Sequence, residues 1–556
     1  MIEELENAGN AFRAALDQYL SVCLKIGELS LRPGVLRNTP QRHLDAIHSE
    51  IAYFSSYESK LRQVEAAARR IRNHLPEAVP IASLPNEILI HIFQLVAKPC
   101  NLIVPHYGDS ESDKSINPSG NSKQRHEKAC SQSLEKFPTY LDNLTHVCSD
   151  WRKTAISCPS LWTHIDIIAH ESFHLKLLAR ARTYVARAAQ LPLELHFADV
   201  IPFNFNGLLL RIFLSSTYHR VESLNIAVVH NCRKFYDCIF DELFSPRASR
   251  PNIFTKLTTH FPMANDRFNE FDVWPGSTNS FHFTTLHLRG LFPPWDSGAY
   301  SNLIDLRLTA SRDERWAGIS ESQLRGILVA SPRLRIFHFA LKLTDWQPDD
   351  ESVLPVRLDD LEILSINTYR AECRTVVKLG HVLRLISPGS KPLQLAISHD
   401  FYTYGPTNVD IYEDDFSTEE LARFFQRSNI TDFCSKYQWP YMDRLLGYAT
   451  NLQNLTLTSY IIGLTSGSSV PAPSATTSPL NSFTLHRCVL SLAALEVLLQ
   501  QRPTNLLILS KCKWIINDTF LDWDPIGEIS ELLQRYPVTK ATFKSLSTSA
   551  DWALID

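Results

Sequence analysis

Eight times between residues 221 and 509 the chain repeats one phrase, apolar-x-x-apolar-x-apolar. The copies are Val221/Leu224/Ile226, Phe283/Leu286/Leu288, Leu303/Leu306/Leu308, Leu334/Phe337/Phe339, Leu361/Leu364/Ile366, Leu452/Leu455/Leu457, Leu480/Phe483/Leu485 and Thr504/Leu507/Leu509. Alternation over the last three places sets two apolar side chains on one face of a strand. Between copies, and once after the last, run helical stretches with a shared ending, Leu328-Val-Ala-Ser-Pro332, Leu499-Gln-Gln-Arg-Pro503 and Leu533-Gln-Arg-Tyr-Pro537. One strand and one helix cannot bury their apolar faces alone, so neighbours must stack around a shared core. The spacing is irregular, roughly 20 to 31 residues, within the range of repeat architectures. The expectation is a curved α/β solenoid with a mainly parallel sheet over residues 166–556, with Leu306, Leu308, Leu364, Ile366, Leu455, Leu457, Phe483, Leu485, Leu507 and Leu509 buried.

The first 76 residues have a different period. Leu5, Phe12, Leu16, Tyr19, Leu20 and Leu24 recur at helical spacing up to Pro33-Gly34. After Pro40, Phe54, Tyr57, Leu61, Val64, Ala68, Ile71 and Leu75 step by three and four, with Ile47 one heptad earlier, as in the seam of a coiled coil. Two partners fit this stripe, the Leu5–Leu24 segment as a helical hairpin or a second copy of the chain. At three to four heptads the length favours the hairpin. The arginines at 62, 69, 70 and 72 read as a solvated face.

Residues 78–165 carry a second helical pattern in two halves. Ser83 is placed to cap, Pro85 suits a first turn because its missing N–H has no intrahelical partner there, and Glu87 favours the positive helix end. Ile88, Leu89, Ile92, Phe93, Leu95 and Val96 then form a face too broad for one partner. Leu144, Val147, Cys148, Trp151 and Ala155 answer it at helical spacing over 144–156, followed by Pro159-Ser-Leu-Trp162.

The series Leu84-Pro-x-Glu-Ile-Leu-x-x-Ile-Phe93, Val147-Cys-x-x-Trp-Arg-x-x-Ala155 and Pro159-x-Leu-Trp162 resembles an F-box, and Leu480-Asn-Ser-Phe-Thr-Leu-His-Arg-Cys488 resembles a leucine-rich repeat through its Cys position. The whole is similar to fungal-type F-box proteins with degenerate repeats. The resemblance implies an α-helical module that docks on a Skp-type adaptor, itself seated on a cullin scaffold, while the repeat region selects a protein substrate. It implies an adaptor-binding surface made of Leu84, Pro85, Ile88, Ile92, Val147 and Trp162. The alternative is a scaffold protein with no link to ubiquitin. This chain departs from a compact F-box by an insertion, about 100–136, whose stretch Gly108–Ser133 offers almost nothing apolar to bury and reads as a disordered loop. His399–Glu420, rich in acids and tyrosines, reads as a solvated loop or an acidic lip for a basic partner, and Thr465–Ser478 as a flexible excursion.

At 556 residues, 44% hydrophobic and 21% charged, the chain is long enough for more than one core. A net charge of −4 argues against a general nucleic-acid binder. The acidic start Met1-Ile-Glu-Glu and the lack of an apolar run of about 18 residues point to an intracellular protein, cytoplasmic or nuclear, with no membrane partner. Eleven cysteines without a regular framework read as free thiols. No phosphate loop, Gly-x-Gly-x-x-Gly, Gly-x-Ser-x-Gly or His-Glu-x-x-His is present. The chain is therefore expected to be non-catalytic, with no cofactor and no metal. Cys100, His106, His126 and Cys130 match no zinc module, and His164, His170, His174 and His196 read as surface and packing histidines.

Overall fold

In the computed structural model the eight phrases fall on strands of one sheet. The structure describes residues 2–30, 41–73, 81, 84–96, 140–170, 173–199, 207–228, 233–244, 253–260, 282–310, 318–345, 354–367, 379–398, 418–436, 446–462, 479–516, 519–521, 526–536 and 540–543. The insertion stretch Gly108–Ser133, the set Cys100/His106/His126/Cys130, residues 399–417, Thr465–Ser478, the cap Ser83 and the seam residue Leu75 lie outside these. The chain separates into two compact units, Met1–His91 and Ile92–Asp556.

The sheet has fourteen strands: β1 (His164–Ala169), β2 (Leu193–Asp199), β3 (Val221–Val228), β4 (Lys256–His260), β5 (Thr285–Arg289), β6 (Asp305–Thr309), β7 (Ile336–Ala340), β8 (Ile363–Asn367), β9 (Leu393–Ser398), β10 (Ile430–Lys436), β11 (Asn454–Thr458), β12 (Leu480–His486), β13 (Thr504–Ser510) and β14 (Lys540–Phe543). Order along the sheet is order along the chain, and every neighbouring pair is parallel. Helices such as Glu321–Ala330, Thr418–Arg427 and Leu492–Gln501 fill the crossovers that parallel pairing demands. The architecture is α/β.

All ten residues expected in the core are buried, none more than 5% exposed. Six strands carry no copy of the phrase as written. In β4 and β10 the last apolar place holds a hydroxyl, Thr259 or Ser435, and both are buried. Each is satisfied: Thr259 Oγ1 donates to Leu291 O at 3.3 Å, and Ser435 Oγ meets Tyr460 Oη at 2.6 Å. A buried hydroxyl with a partner costs little, so it can stand where the pattern asks for leucine.

Neighbouring strands are fastened at matching points. Ser459, Arg487 and Lys511, each one residue past its strand, take positive φ of 59°, 50° and 52°. Left-handed backbone is disfavoured for residues with a Cβ. It is held here by the next strand, since Ser459 N donates to His486 O and Arg487 N to Ser510 O. One residue further on, Cys488 Sγ donates to Leu457 O and Cys512 Sγ to Leu485 O, both at 3.3 Å, each reaching back one strand.

In the first unit, helices α1 (Ile2–Ser30) and α2 (Gln41–Asn73) touch where Tyr19 Oη donates to Glu50 Oε2 at 3.0 Å and the Tyr19 ring meets Phe54 edge-on at 6.3 Å. Contact within one chain is what the hairpin alternative requires. Much of both stripes stays exposed nonetheless, including Leu16, Leu20, Phe54, Leu61 and Val64. Among the described residues no helix is long and apolar enough to cross a membrane.

Candidate protein-interaction surfaces

The F-box-like motif lies on α3 (Asn86–Val96), α4 (Tyr140–Val147), α5 (Ser149–Ile156) and the 3-10 turn Pro159–Trp162. The expected single helix 144–156 is broken at Cys148, which is fully extended (φ −155°, ψ 173°) while its Sγ accepts from Trp151 N at 3.4 Å. A side-chain acceptor there caps a new helix and ends the old one. Within the second unit Phe93, fully buried, lies against Trp151 with ring centroids 5.0 Å apart, and Gln94 Nε2 donates to Ser160 Oγ at 3.3 Å.

Of the six residues expected on the adaptor surface, Leu84, Pro85 and Ile88 lie in the first unit and Ile92, Val147 and Trp162 in the second. Pro85, Ile88 and Val147 are exposed, Val147 to 57%, while Leu84 and Ile92 are half-buried. Trp162 is a correction: it is 0% exposed and belongs to the core. Its Nε1 donates to Ala155 O at 2.8 Å, taking up a terminal carbonyl of α5. Tyr184 meets its ring edge-on at 4.9 Å, and the Arg187 guanidinium stands 4.3 Å above it. Both partners come from α6 (His174–Arg187), the first crossover helix of the sheet, so this tryptophan ties the helical module to the sheet. On α3 the apolar side chains divide, Leu89 and Phe93 buried, Ile88, Leu95 and Val96 exposed. Val147 and Ile156, at the ends of α4 and α5, are exposed as well. A groove of about 440 Å³ between these helices is lined by Asp142, His146, Arg152, Ile156, Arg180 and Arg187 among others.

A second surface is the polar face of the sheet. Residues one place from the buried leucines share that face, and the register aligns them into rows: Glu194, Ser223, Lys256, Thr285 and Asp305 in one, His196, Asn225, Thr258, His287, Arg307 and His338 in the next. Side chains join along the rows. Arg307 clasps Asp305 through Nε and Nη2, both at 2.9 Å, and His287 Nε2 lies 2.8 Å from the same carboxylate. Burial pushes Asp305 up, but His287 and Arg307 outweigh it and hold the carboxyl below its ordinary range. Farther along, Ser482 Oγ donates to Asn454 Oδ1 at 2.6 Å and Asn454 Nδ2 to Asp432 Oδ1 at 2.8 Å, a ladder across three strands. Such a face can recognise a partner by hydrogen bonds and charge.

The four histidines do not stay together. His170 stacks on Phe173 at 4.6 Å, and His174 opens α6. His164 and His196 meet across β1 and β2 on the polar face, with Asp166 between them. Burial lowers the His164 pKa, but Asp166 and Glu194 outweigh it and raise it to about 9. Burial raises Asp166, but its bonds to the two imidazoles hold it far below the usual carboxylate range. The legible signal was alternation, His-x-Asp on one strand facing Glu-x-His on the next. Compared with known proteins, the chain matches no family model and no curated sequence.

Proposed function

We propose that the chain is the substrate-recognition subunit of an SCF-type cullin ubiquitin ligase, non-catalytic in itself and cytoplasmic or nuclear. Its F-box-like helices dock on a Skp-type adaptor, and the sheet region, read as a degenerate leucine-rich-repeat-like solenoid, binds a protein substrate. The observation that carries the reading is the exposed apolar set Leu95, Val96, Val147 and Ile156 of the second unit, on helices that bear the motif in F-box order. Exposed apolar side chains on a small helical module are what a protein partner covers. The solenoid reading is supported by the in-sequence, all-parallel strand order and by the matching Cys488 and Cys512 contacts. The polar rows supply the substrate face.

The test is co-purification of the full chain with a Skp-type adaptor, wild type against Leu84→Ala/Pro85→Ala, with circular dichroism on both. Capture by wild type and its loss in a folded variant is the expected result. No capture by wild type demotes the ligase reading below a scaffold unconnected to ubiquitin. That second reading has its own observation, the exposed apolar stripes of α1 and α2, which suit assembly as well as they suit a ligase.

A further inference from the structure

At the edge of the sheet, where the polar rows begin, one group has a chemistry of its own. His164 and Asp166 stand two apart on β1, Glu194 and His196 two apart on β2, and the register pairs His164 with Glu194 and Asp166 with His196. Residues two apart on a strand point to one face, so the four side chains stand together at the corners of one cell of the sheet. His164 Nε2 lies 3.0 Å and His196 Nδ1 3.2 Å from a single oxygen, Asp166 Oδ1. One ligand atom from each of His164, Asp166 and His196 falls within 4.8 Å of the other two. The other nitrogen of His164 lies 3.4 Å from Glu194 Oε2. The side chains of Asp166 and His196 are 5% and 6% exposed, and the buried Nε2 of His196 has no hydrogen-bond partner.

We propose that His164, Asp166 and His196 form a binding site for a divalent transition-metal ion of the zinc type, with Glu194 as the carboxylate that orients His164. Two imidazoles and a carboxylate are a donor set that suits zinc and disfavours calcium and magnesium, which take oxygen. With metal–ligand bonds near 2.0–2.1 Å, ligands of a tetrahedral ion stand about 3.3–3.4 Å apart, so the two separations at Asp166 need to open by only a few tenths of an ångström. Glu194 against the second nitrogen of His164 is the outer carboxylate that fixes which nitrogen faces the metal. Charge agrees as well. Asp166 and Glu194 carry two negative charges beside two rings that are neutral when they ligate, and a divalent ion balances them. Bridging β1 to β2 at the edge of the sheet, the ion would hold the first strand in register, and nothing in this depends on adaptor binding.

The experiment uses the purified full chain, stripped with a chelator and dialysed. It is titrated with Zn2+ alone by calorimetry, and with Co2+ while the visible spectrum is followed. Expected are one tightly bound equivalent, the visible absorption of four-coordinate Co2+, and a melting temperature raised by Zn2+. His164→Gln and His196→Gln each weaken binding by ten-fold or more and abolish the zinc-dependent rise, whereas His287→Gln, on the same face, changes neither. His164, at the more exposed side of the group, keeps the test decisive if His196→Gln does not fold. Failure of the wild type to bind one equivalent of Zn2+, or undiminished binding by folded His164→Gln, overturns the proposal.

Discussion

Arg384 lays its guanidinium along the carboxylate of Glu321, Nε to Oε1 at 2.8 Å and Nη2 to Oε2 at 2.6 Å, with both side chains almost nine-tenths buried. Glu321 is the first residue of helix Glu321–Ala330, where the helix end also favours its charge, and Arg384 follows helix Leu379–Leu383. The pair therefore links the crossover between β6 and β7 to the crossover between β8 and β9. Removing Glu321 takes away the carboxylate that both Nε and Nη2 of the buried Arg384 use. Glu321→Ala is expected to lose about 3–5 kcal/mol, while the double change Glu321→Met/Arg384→Met loses clearly less. Urea midpoints of the full chain followed by tryptophan fluorescence decide it, and equal losses in the two proteins would refute the argument.

His338 on β7 gives a pH dependence of known sign. Burial first, then the Arg307 charge and His287, outweigh the pull of Asp305 and lower its pKa from 6.5 to about 4. Unfolded chain takes up a proton near pH 6.5, folded chain only near 4, so the unfolded state binds more protons in that window. Stability from this site is full above pH 6.5 and falls as pH drops towards 4, by at most about 3 kcal/mol for the whole shift. His338→Gln is expected to show a shallower loss between those values than wild type. Denaturant melts at a series of pH values give the slopes, and parallel slopes would rule His338 out as the cause.

Thiol reactivity follows burial. Cys488 is fully buried and its pKa is driven well above the ordinary thiol value by burial first, with Cys512 adding to it; burial likewise raises Cys238 to about 11. Thiolate is the reactive form, and little of it exists at these sites. Cys23 on α1 is exposed. Brief treatment of native protein with iodoacetamide at mildly alkaline pH is expected to modify Cys23 and leave Cys238 and Cys488 untouched until urea is added. Peptide mass spectrometry reads the pattern, and early modification of Cys488 would contradict the packing at β12.

The repeated phrase was legible wherever leucine, isoleucine or phenylalanine filled its last two places, because such residues have no other way to be satisfied than burial. It was hidden where Thr259 or Ser435 took the last place, since a sequence does not show that Leu291 O or Tyr460 Oη waits for the hydroxyl. It was hidden again in β2 and β9, where Leu193-x-Leu195-x-Phe197 and Leu393-x-Leu395-x-Ile397 alternate without the wider first step. The surface assignments were harder. Trp162 follows a helix break in the motif and looks like a surface anchor, and only the approach of Tyr184 and Arg187 across 22 and 25 residues of chain makes it core. The His164 group was missed for the opposite reason: each histidine was compared with its neighbours in sequence, while the cell that unites them is made by strand register.

Trp162 and Val147 together separate folding from docking. Trp162 fills a closed pocket, accepts Arg187 on its face and caps α5, so Trp162→Ala removes packing, a cation–π contact and a hydrogen bond at once. A loss of about 3–5 kcal/mol is expected, with any failure to bind an adaptor secondary to it. Val147 is 57% exposed at the last residue of α4, where a substitution changes stability by only about 0.5 kcal/mol or less. An aspartate there puts a charge into whatever apolar surface covers it. Val147→Asp is therefore expected to keep the wild-type melting curve and to lose adaptor capture by more than ten-fold, while Trp162→Ala melts early. Thermal melts by circular dichroism and pull-down on a Skp-type adaptor are run on the same preparations of full-length chain. Wild-type capture by Val147→Asp would remove Val147 from the docking surface, and an unshifted melt of Trp162→Ala would mean that this tryptophan is not the tie between the helical module and the sheet.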